Sequence, residues 1–370
     1  MKKSQSYILI LSTIIMISLT ISVSWFRDIE SRRIEGERFL FPELGTPTDE
    51  NSLKMLNNIV TLKIESIKGE FYINKSQEKW TLPSLANFPV SIDKIKRVIV
   101  GISQLETIEP KTKNPELHSE LGLNLPSEAG STATSITLIS NDDNILASLI
   151  VGKDSKSGRD TRYVRRPGEN QTWLAWRNFD LADDAIGWLE DDLFSIARWR
   201  VADIKISHID EPEVFISRAN FSEQYFKVQN LKEDELPLNP YVGNQIGAAI
   251  EKLPIKNIIK KYTGNKNKLT ETVFTTFDGL KIHVTNFEAN DSNWVEFSAE
   301  FDSRLRRELP EDGPTIVGLP EMPTIEEVKN EVISLNQSFE NWSFQFNESK
   351  HDLLTTNLKN ITKKKEINQD

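Results

Sequence analysis

The chain has 370 residues, a formal net charge of -10 and 38% hydrophobic residues. That length has room for two domains of ordinary size, and the acidic balance argues against a general nucleic-acid binder, which carries a basic surface. There is no cysteine, which excludes disulfides, thiolate metal sites, a cysteine nucleophile and a lipid-modified cysteine anchor.

Lys2 and Lys3 precede an uncharged run over residues 4–26, rich in Ile and Leu between Tyr7 and Val23. At about 1.5 Å per residue, roughly 20 residues cross a hydrocarbon core of ~30 Å. Tyr7 and Trp25-Phe26 sit at its two ends, where aromatic belts form. Residues 1–26 therefore read as a transmembrane anchor. The competing reading is a cleaved signal peptide, because Ser22-Val23-Ser24 is a small-x-small site. Arg27, Arg32, Arg33 and Arg38 follow the run, but a short tail before a first apolar segment acts as an export signal. The expected orientation is N-terminus cytoplasmic, with the bulk of the chain outside.

Residues 27–54, charged and then Pro/Gly/Thr-bearing, read as a tether. From residue 55 the chain is written twice, over 55–200 and 201–361. Val60-Thr61-Leu62-Lys63-Ile64 is answered by Val201-Ala202-Asp203-Ile204-Lys205-Ile206, and Phe71-Tyr72-Ile73 by Val214-Phe215-Ile216. Lys79-Trp80-Thr81-Leu82 returns as Tyr225-Phe226-Lys227-Val228. Self-similarity of this kind decides the fold before any local pattern does.

Within the first copy, alternation predicts a hairpin turning near Lys68-Gly69 and a third strand at Trp80 and Leu82. A helix over 92–105 follows, with Ser91 as N-cap. A second hairpin crosses Asn141-Asp142-Asp143-Asn144. Two strands lie over 162–165 and 172–176, then a helix over 183–196 that buries Ile186, Leu189, Leu193 and Ile196. In the second copy, the helical stripe Val98, Ile102, Leu105 returns as Ile246, Ile250, Leu253. A hairpin turns at Phe277-Asp278-Gly279. Trp294-Val295-Glu296-Phe297 matches Arg162-Tyr163-Val164-Arg165, and Trp342-Ser343-Phe344-Gln345-Phe346 matches Trp173-Leu174-Ala175-Trp176. The final helix is expected over 350–361.

Residues 302–340 are an insertion in the second copy. Its helix is announced by the capping-box pattern Thr324-Ile325-Glu326-Glu327. Ile325, Val328, Val332, Leu335 and Phe339 share a face, which reads as core against the parent domain or as a partner-binding stripe. Residues 362–370, with Lys363-Lys364-Lys365, read as a disordered tail. The fold class expected is α+β: a tandem duplication of an antiparallel sheet-plus-helix unit behind an N-terminal transmembrane helix.

Several short motifs then point to a family. They are Val151-Gly152-Lys153, the run Thr161-Arg162-Tyr163-Val164-Arg165-Arg166-Pro167-Gly168-Glu169, and Gln171-Thr172-Trp173-Leu174. Glu109-Pro110-Lys111-Thr112, Leu121-Gly122-Leu123, Trp188-Leu189 and Thr276-Phe277-Asp278-Gly279-Leu280 keep the same order. In this order the chain resembles the bacterial DUF4340 family over roughly residues 55–361. The resemblance implies a membrane-anchored protein of the bacterial inner membrane with a periplasmic bulk and no assigned enzymatic activity. It also implies ABC-type transporter subunits as partners, since some members are encoded beside them. It brings no catalytic residues.

Read for chemistry, the chain offers little. His118, His208, His283 and His351 have no ligand spacing. The pairs Asp142-Asp143, Asp183-Asp184 and Asp191-Asp192 read as a turn, a helix start and a helix face. Gly152-Lys153-Asp154-Ser155-Lys156-Ser157-Gly158 lacks the Walker order, and no G-x-S-x-G elbow occurs. No catalytic residue, metal or cofactor is expected. The candidate binding residues are Arg162, Arg165, Arg166 and Trp173, because guanidinium groups match carboxylate or phosphate geometry and tryptophan offers a stacking plate. The bland alternative is a hairpin whose arginines pair with local carboxylates such as Asp160 and Glu169. The expected role is a non-catalytic, membrane-anchored extracytoplasmic binding or scaffold protein, accessory to an ABC-type transporter. The alternatives are a periplasmic ligand- or glycan-binding module using the Arg/Trp surface and, behind it, a hydrolase.

Overall fold

The computed structural model describes residues 39–45, 47–77, 79–156, 160–220, 223–307 and 321–365. The expected anchor and the first part of the tether lie outside the described residues. Among the described residues no helix is long and apolar enough to cross a membrane. The protein is α+β, with antiparallel sheets and few helices. It forms two compact units. The first takes the described residues up to Thr81 with Pro89–Trp188, and the second takes Leu82–Phe88 with the residues from Leu189 onward.

The first unit starts earlier than expected. Leu40, Phe41 and Leu44 are buried, the Leu40 amide donates to the Leu105 carbonyl at 2.8 Å, and Asp49 caps α1 (Glu50–Asn57) through the Ser52 amide. Residues 39–45 and 47–54 are thus part of the folded unit, not a tether. Apolar side chains too large to stay hydrated draw them in. The strands are β1 (Ile59–Ser66), β2 (Gly69–Ser76), β3 (Lys79–Leu82), β4 (Phe88–Pro89), β5 (Thr107–Pro110), β6 (Thr134–Ser140), β7 (Ile145–Asp154), β8 (Thr161–Arg165) and β9 (Trp173–Trp176). Their order in the sheet is β4-β3-β2-β1-β6-β7-β8-β9-β5. The β1–β2 hairpin turns at Gly69, whose φ of 126° suits glycine. It sets Leu62 opposite Ile73 and Ile64 opposite Phe71. Helix α2 (Ile92–Ser103) buries Ile95, Val98, Ile99 and Ile102, the stripe its 3.6-residue period predicts. Ser91 is its N-cap residue without a side-chain capping bond. A short helix, α3 (His118–Leu121), precedes β6.

The second unit carries β10 (Val201–His208), β11 (Val214–Ser217), β12 (Lys227–Val228), β13 (Glu235–Pro237), β14 (Asn257–Lys260), β15 (Asn267–Thr276), β16 (Leu280–Ala289), β17 (Ser292–Phe301), β18 (Trp342–Gln345) and β19 (Thr362–Lys364). Its main sheet runs β12-β11-β10-β15-β16-β17-β18-β14. From β3 onward this is the order of the first sheet, strand for strand. Local detail repeats as well. Both first strands bulge at the same step, at Val60 against β6 and at Ala202 against β15. Both following hairpins hold a left-handed residue at the same place, Asp143 at φ 59° and Gly279 at φ 88°. Both close on a hydroxyl: the Asn144 amide donates to Ser140 at 3.2 Å and the Leu280 amide to Thr276 at 2.9 Å.

The helices of this unit are α4 (Val242–Gly247), α5 (Ile325–Phe339), α6 (Glu348–Leu354) and α7 (Leu358–Ile361). The expected final helix over 350–361 is therefore two short ones, capped separately by Asn347 and Asn357. The capping box of α5 is formed, with the Thr324 amide 2.7 Å from the Glu327 carboxylate and the Glu327 amide 3.2 Å from the Thr324 hydroxyl. Val328, Leu335 and Phe339 are buried, and Phe339 meets Phe194 and Phe297 at 5.1 and 5.3 Å between ring centroids. The helix is core, with Ile325 left exposed.

Two further expectations are overturned. Residues 362–365 belong to no loose tail, since β19 pairs with β13 and the Lys365 amide donates to the Asp234 carbonyl. Residues 183–196 do not form a helix; only a 3-10 turn, Ile186–Trp188, interrupts an irregular segment. Its backbone bonds go elsewhere. The Leu193 amide donates to Leu253 and the Ile196 amide to Ile250, so tertiary partners replace the helical ladder.

A candidate cleft on the first unit

Strand β8 carries the arginines, and its alternation puts Arg162 and Arg165 on opposite faces. Neither is a surface group: they are 7% and 6% exposed. The Arg162 guanidinium lies 3.4 Å from Asp154 and 3.5 Å from Asp180, and 6.0 Å from the centre of the Phe179 ring. Arg165 donates to the Leu123 carbonyl at 2.7 Å and to the Glu169 carbonyl at 3.4 Å. Burial lowers the pKa of both, because desolvation penalises the charged form. Arg166 donates to the Leu40 carbonyl and lies 3.4 Å from Glu43, with its guanidinium 4.8 Å from the Phe41 ring centre. Trp173 is half-buried on β9, opposite Val164 and Pro110. The four candidate residues are not gathered on one open surface. Each arginine is held by its own chain.

What Arg162 supports is a loop, through Asp180 and Phe179. Residues 177–188 leave β9 and run back past α2, and nearly every step is tied down. Asn178 donates to the Gly101 and Gln104 carbonyls at the end of α2, at 2.9 and 3.3 Å. The Phe179 ring packs where Gly101 has no side chain; a Cβ there would come within 2.5 Å of it. Arg177 reaches Asp154 at 3.0 Å and Asp180 at 2.9 Å, and its hydrogen bond holds the Asp180 carboxyl below the usual range. Lys68 bridges Asp183 and Asp184 at 2.9 and 2.8 Å. The indole of Trp188 donates to the Ala182 carbonyl at 3.2 Å, and Lys94 reaches the Gly187 carbonyl at 3.2 Å.

Between α2 and this loop lies a cleft of about 750 Å³, lined by Lys94, Arg97 and Val98 of the helix, by Asp160, and by loop residues from Arg177 to Trp188. Its charges are unequally occupied. Arg177 and Asp180 neutralise one another, and Arg97 is exposed and has no ion-pair partner among the described residues. Arg97 thus presents an unpaired guanidinium at the cleft on an otherwise acidic chain. Among the described residues no group of three or more His, Asp or Glu side chains is placed to hold a metal ion. Sequence reading followed the arginine run and missed Lys94, Arg97 and Arg177. The available signal was the polar face of α2, where Lys94 and Arg97 are one turn apart.

Fold and cleft together define an α+β protein of two antiparallel-sheet units, with a preformed pocket on the first. The chain belongs to the family described as a domain of unknown function, DUF4340, whose model matches residues 80–272. The match runs from β3 to within β15 and covers just over half of the chain. No curated protein and no solved structure matches the chain.

Proposed function

We propose that the protein is a non-catalytic, membrane-anchored binding or scaffold protein whose bulk lies outside the cytoplasm, accessory to an ABC-type transporter. The observation that carries the binding role is the cleft with pinned walls. A recognition surface whose loop is already fixed loses little entropy on binding. The anchor reading is supported by the apolar run over residues 4–26, which holds the units at the bilayer so that weak contacts suffice. The shared strand order, the repeated bulge and the repeated turn support tandem duplication as the origin of the two units.

The test is crosslinking in native membranes followed by identification of what copurifies. Transporter subunits are expected in the crosslinked band. Recovery of the protein alone would overturn the accessory role. A reporter active only outside the cytoplasm, fused after Asp370, is expected to be active; a silent but stable fusion would overturn the orientation.

A further inference from the structure

We propose that the outer edge of the second unit's main sheet docks on an anionic phospholipid surface through a comb of lysines, Lys252, Lys256, Lys260 and Lys261. The inference goes beyond the accessory role and rests neither on that role nor on the anchor. It starts from a comparison of the two units. Two marks align the ends of their sheets. The Leu105 carbonyl accepts from the Leu40 amide at 2.8 Å, and the Leu253 carbonyl from the Leu193 amide at 3.1 Å. The Gly101 carbonyl accepts from Asn178 at 2.9 Å, and the Ala249 carbonyl from Lys350 of α6 at 3.0 Å. Strands β5 and β14 come next in the chain, and each stands last in its sheet.

The two edges differ in charge. Around β5 the signs are mixed. Glu106 and Glu109 stand near Lys111 and Lys113, and Lys111 pairs with Glu109. Around β14 they are not. Residues 252–268 contain six lysines and no Asp or Glu, in a chain of net charge -10. Lys266 and Lys268 are paired, with Glu296 and Glu271, both at 2.6 Å. Lys252, Lys256, Lys260 and Lys261 are exposed and have no ion-pair partner among the described residues. The adjoining strand β18, Trp342-Ser343-Phe344-Gln345, carries no charge to balance them. A lysine on an edge strand also deters pairing with another chain. Here Asn257 already serves that end, since its side chain takes the Ile258 amide at 2.9 Å, and Lys252, Lys256 and Lys261 lie outside the strand.

The geometry selects the occupant. At about 3.3 Å per residue, Lys256 and Lys260 stand roughly 13 Å apart. The four ammonium groups thus form a line rather than a pocket, which suits an extended polyanion and not a small anion. No arginine stands among them. Nothing there offers the planar fork that fixes one phosphate or carboxylate, whereas hydrated point charges follow mobile lipid headgroups. An extended acidic peptide would add through backbone bonds to the edge, and Asn257 already holds one of the donors it needs. Nucleic acid would meet the negative charge of the rest of the chain. A bilayer bearing anionic lipid presents its phosphates in a plane and needs only this edge.

The experiment uses the purified full chain in nanodiscs of phosphatidylcholine, with and without phosphatidylglycerol, and reads hydrogen exchange over residues 252–261. Protection is expected with phosphatidylglycerol only. It is expected to vanish in about 0.5 M salt, where the screening length falls to about 4 Å. Lys256→Gln is expected to lower the protection about fivefold, the effect of one lysine at an anionic surface. Lys252→Gln, Lys256→Gln, Lys260→Gln and Lys261→Gln together are expected to abolish it, and arginine at the same four positions to retain it. All four positions are exposed, so both fourfold variants are expected to keep the wild-type melting temperature. A chain that elutes apart from the discs refutes the anchor and not the docking, which is then read by pelleting with vesicles of the same two compositions. The proposal is overturned if phosphatidylglycerol gives no protection or pelleting, if phosphatidylcholine alone gives as much, or if the fourfold glutamine variant behaves as wild type. It is also overturned if a glutamate-rich peptide or single-stranded DNA, added without phosphatidylglycerol, protects the edge more strongly than the lipid does.

Discussion

Gly101 marks the tightest contact under the cleft. Its missing side chain gives the Phe179 ring a seat on α2, and an added methyl group would meet three ring and side-chain atoms within 2.8 Å. Gly101→Ala is therefore expected to destabilise the protein by about 1–3 kcal/mol, the usual cost of overpacking. Chemical denaturation measures it, and an unchanged midpoint rejects the argument. His351 is a second local case. Its Nε2 is buried without a partner, and burial lowers its pKa from 6.5. The unfolded chain then takes up the proton first, so this contribution to stability is complete above pH 6.5 and is lost as pH falls toward the lower folded value. His351→Leu is expected to flatten the fall of melting temperature in that window, and an identical slope would refute the assignment. Arg162 and Arg165 show what single residues conceal in sequence. A run of arginines beside tryptophan reads as a surface, yet the partners that bury them, Asp154, Asp180 and the Leu123 carbonyl, come from other elements. The local alternative offered Asp160 and Glu169 as carboxylates for these arginines, and Glu169 lies 3.8 Å from Arg166.

Among the elements, the inserted helix α5 has a task that its hydrophobic stripe does not announce. Among the described residues strand β18 meets β17 only at Val295, and no described strand pairs with that edge of the later half of β17. Asn336 closes it. Its amide accepts from the Ala299 N–H and donates to the Ala299 carbonyl, both at 2.8 Å, as a neighbouring strand does. Open edges invite pairing with another chain. Asn336→Ala is expected to cost about 1–3 kcal/mol and to promote self-association, seen as a concentration-dependent rise in mass on light scattering. A monomeric, equally stable variant would show that the edge needs no cover. Capping box, apolar face and helix were legible here because they are local; Asn336 was not, because its partner lies 37 residues away. The opposite error occurred over residues 183–196. Ile186, Leu189, Leu193 and Ile196 fit a helical period, but the Ser66 hydroxyl and the Leu253 and Ile250 carbonyls take backbone groups a helix would use. Periodicity over so short a span fixes which side chains go inside, not how the backbone is bonded.

For the whole molecule, the repetition of strand order was legible because each copy spells its strands with the same alternation. The places where the copies diverge were not. The loop 177–188 and the helix α6 occupy matching positions with unrelated sequences, and the cleft exists only where they differ. Division of the chain into units has its own consequence. Leu82–Phe88 counts with the second unit, where Phe88 sets its ring against Trp342 and Phe344 at 4.9 and 5.9 Å and Ala86 accepts from the Trp342 indole. No single scission can release that later portion intact. A fragment begun at Leu189 leaves two aromatic plates bare, and supplying a peptide of residues 82–88 in trans is the remedy its architecture prescribes.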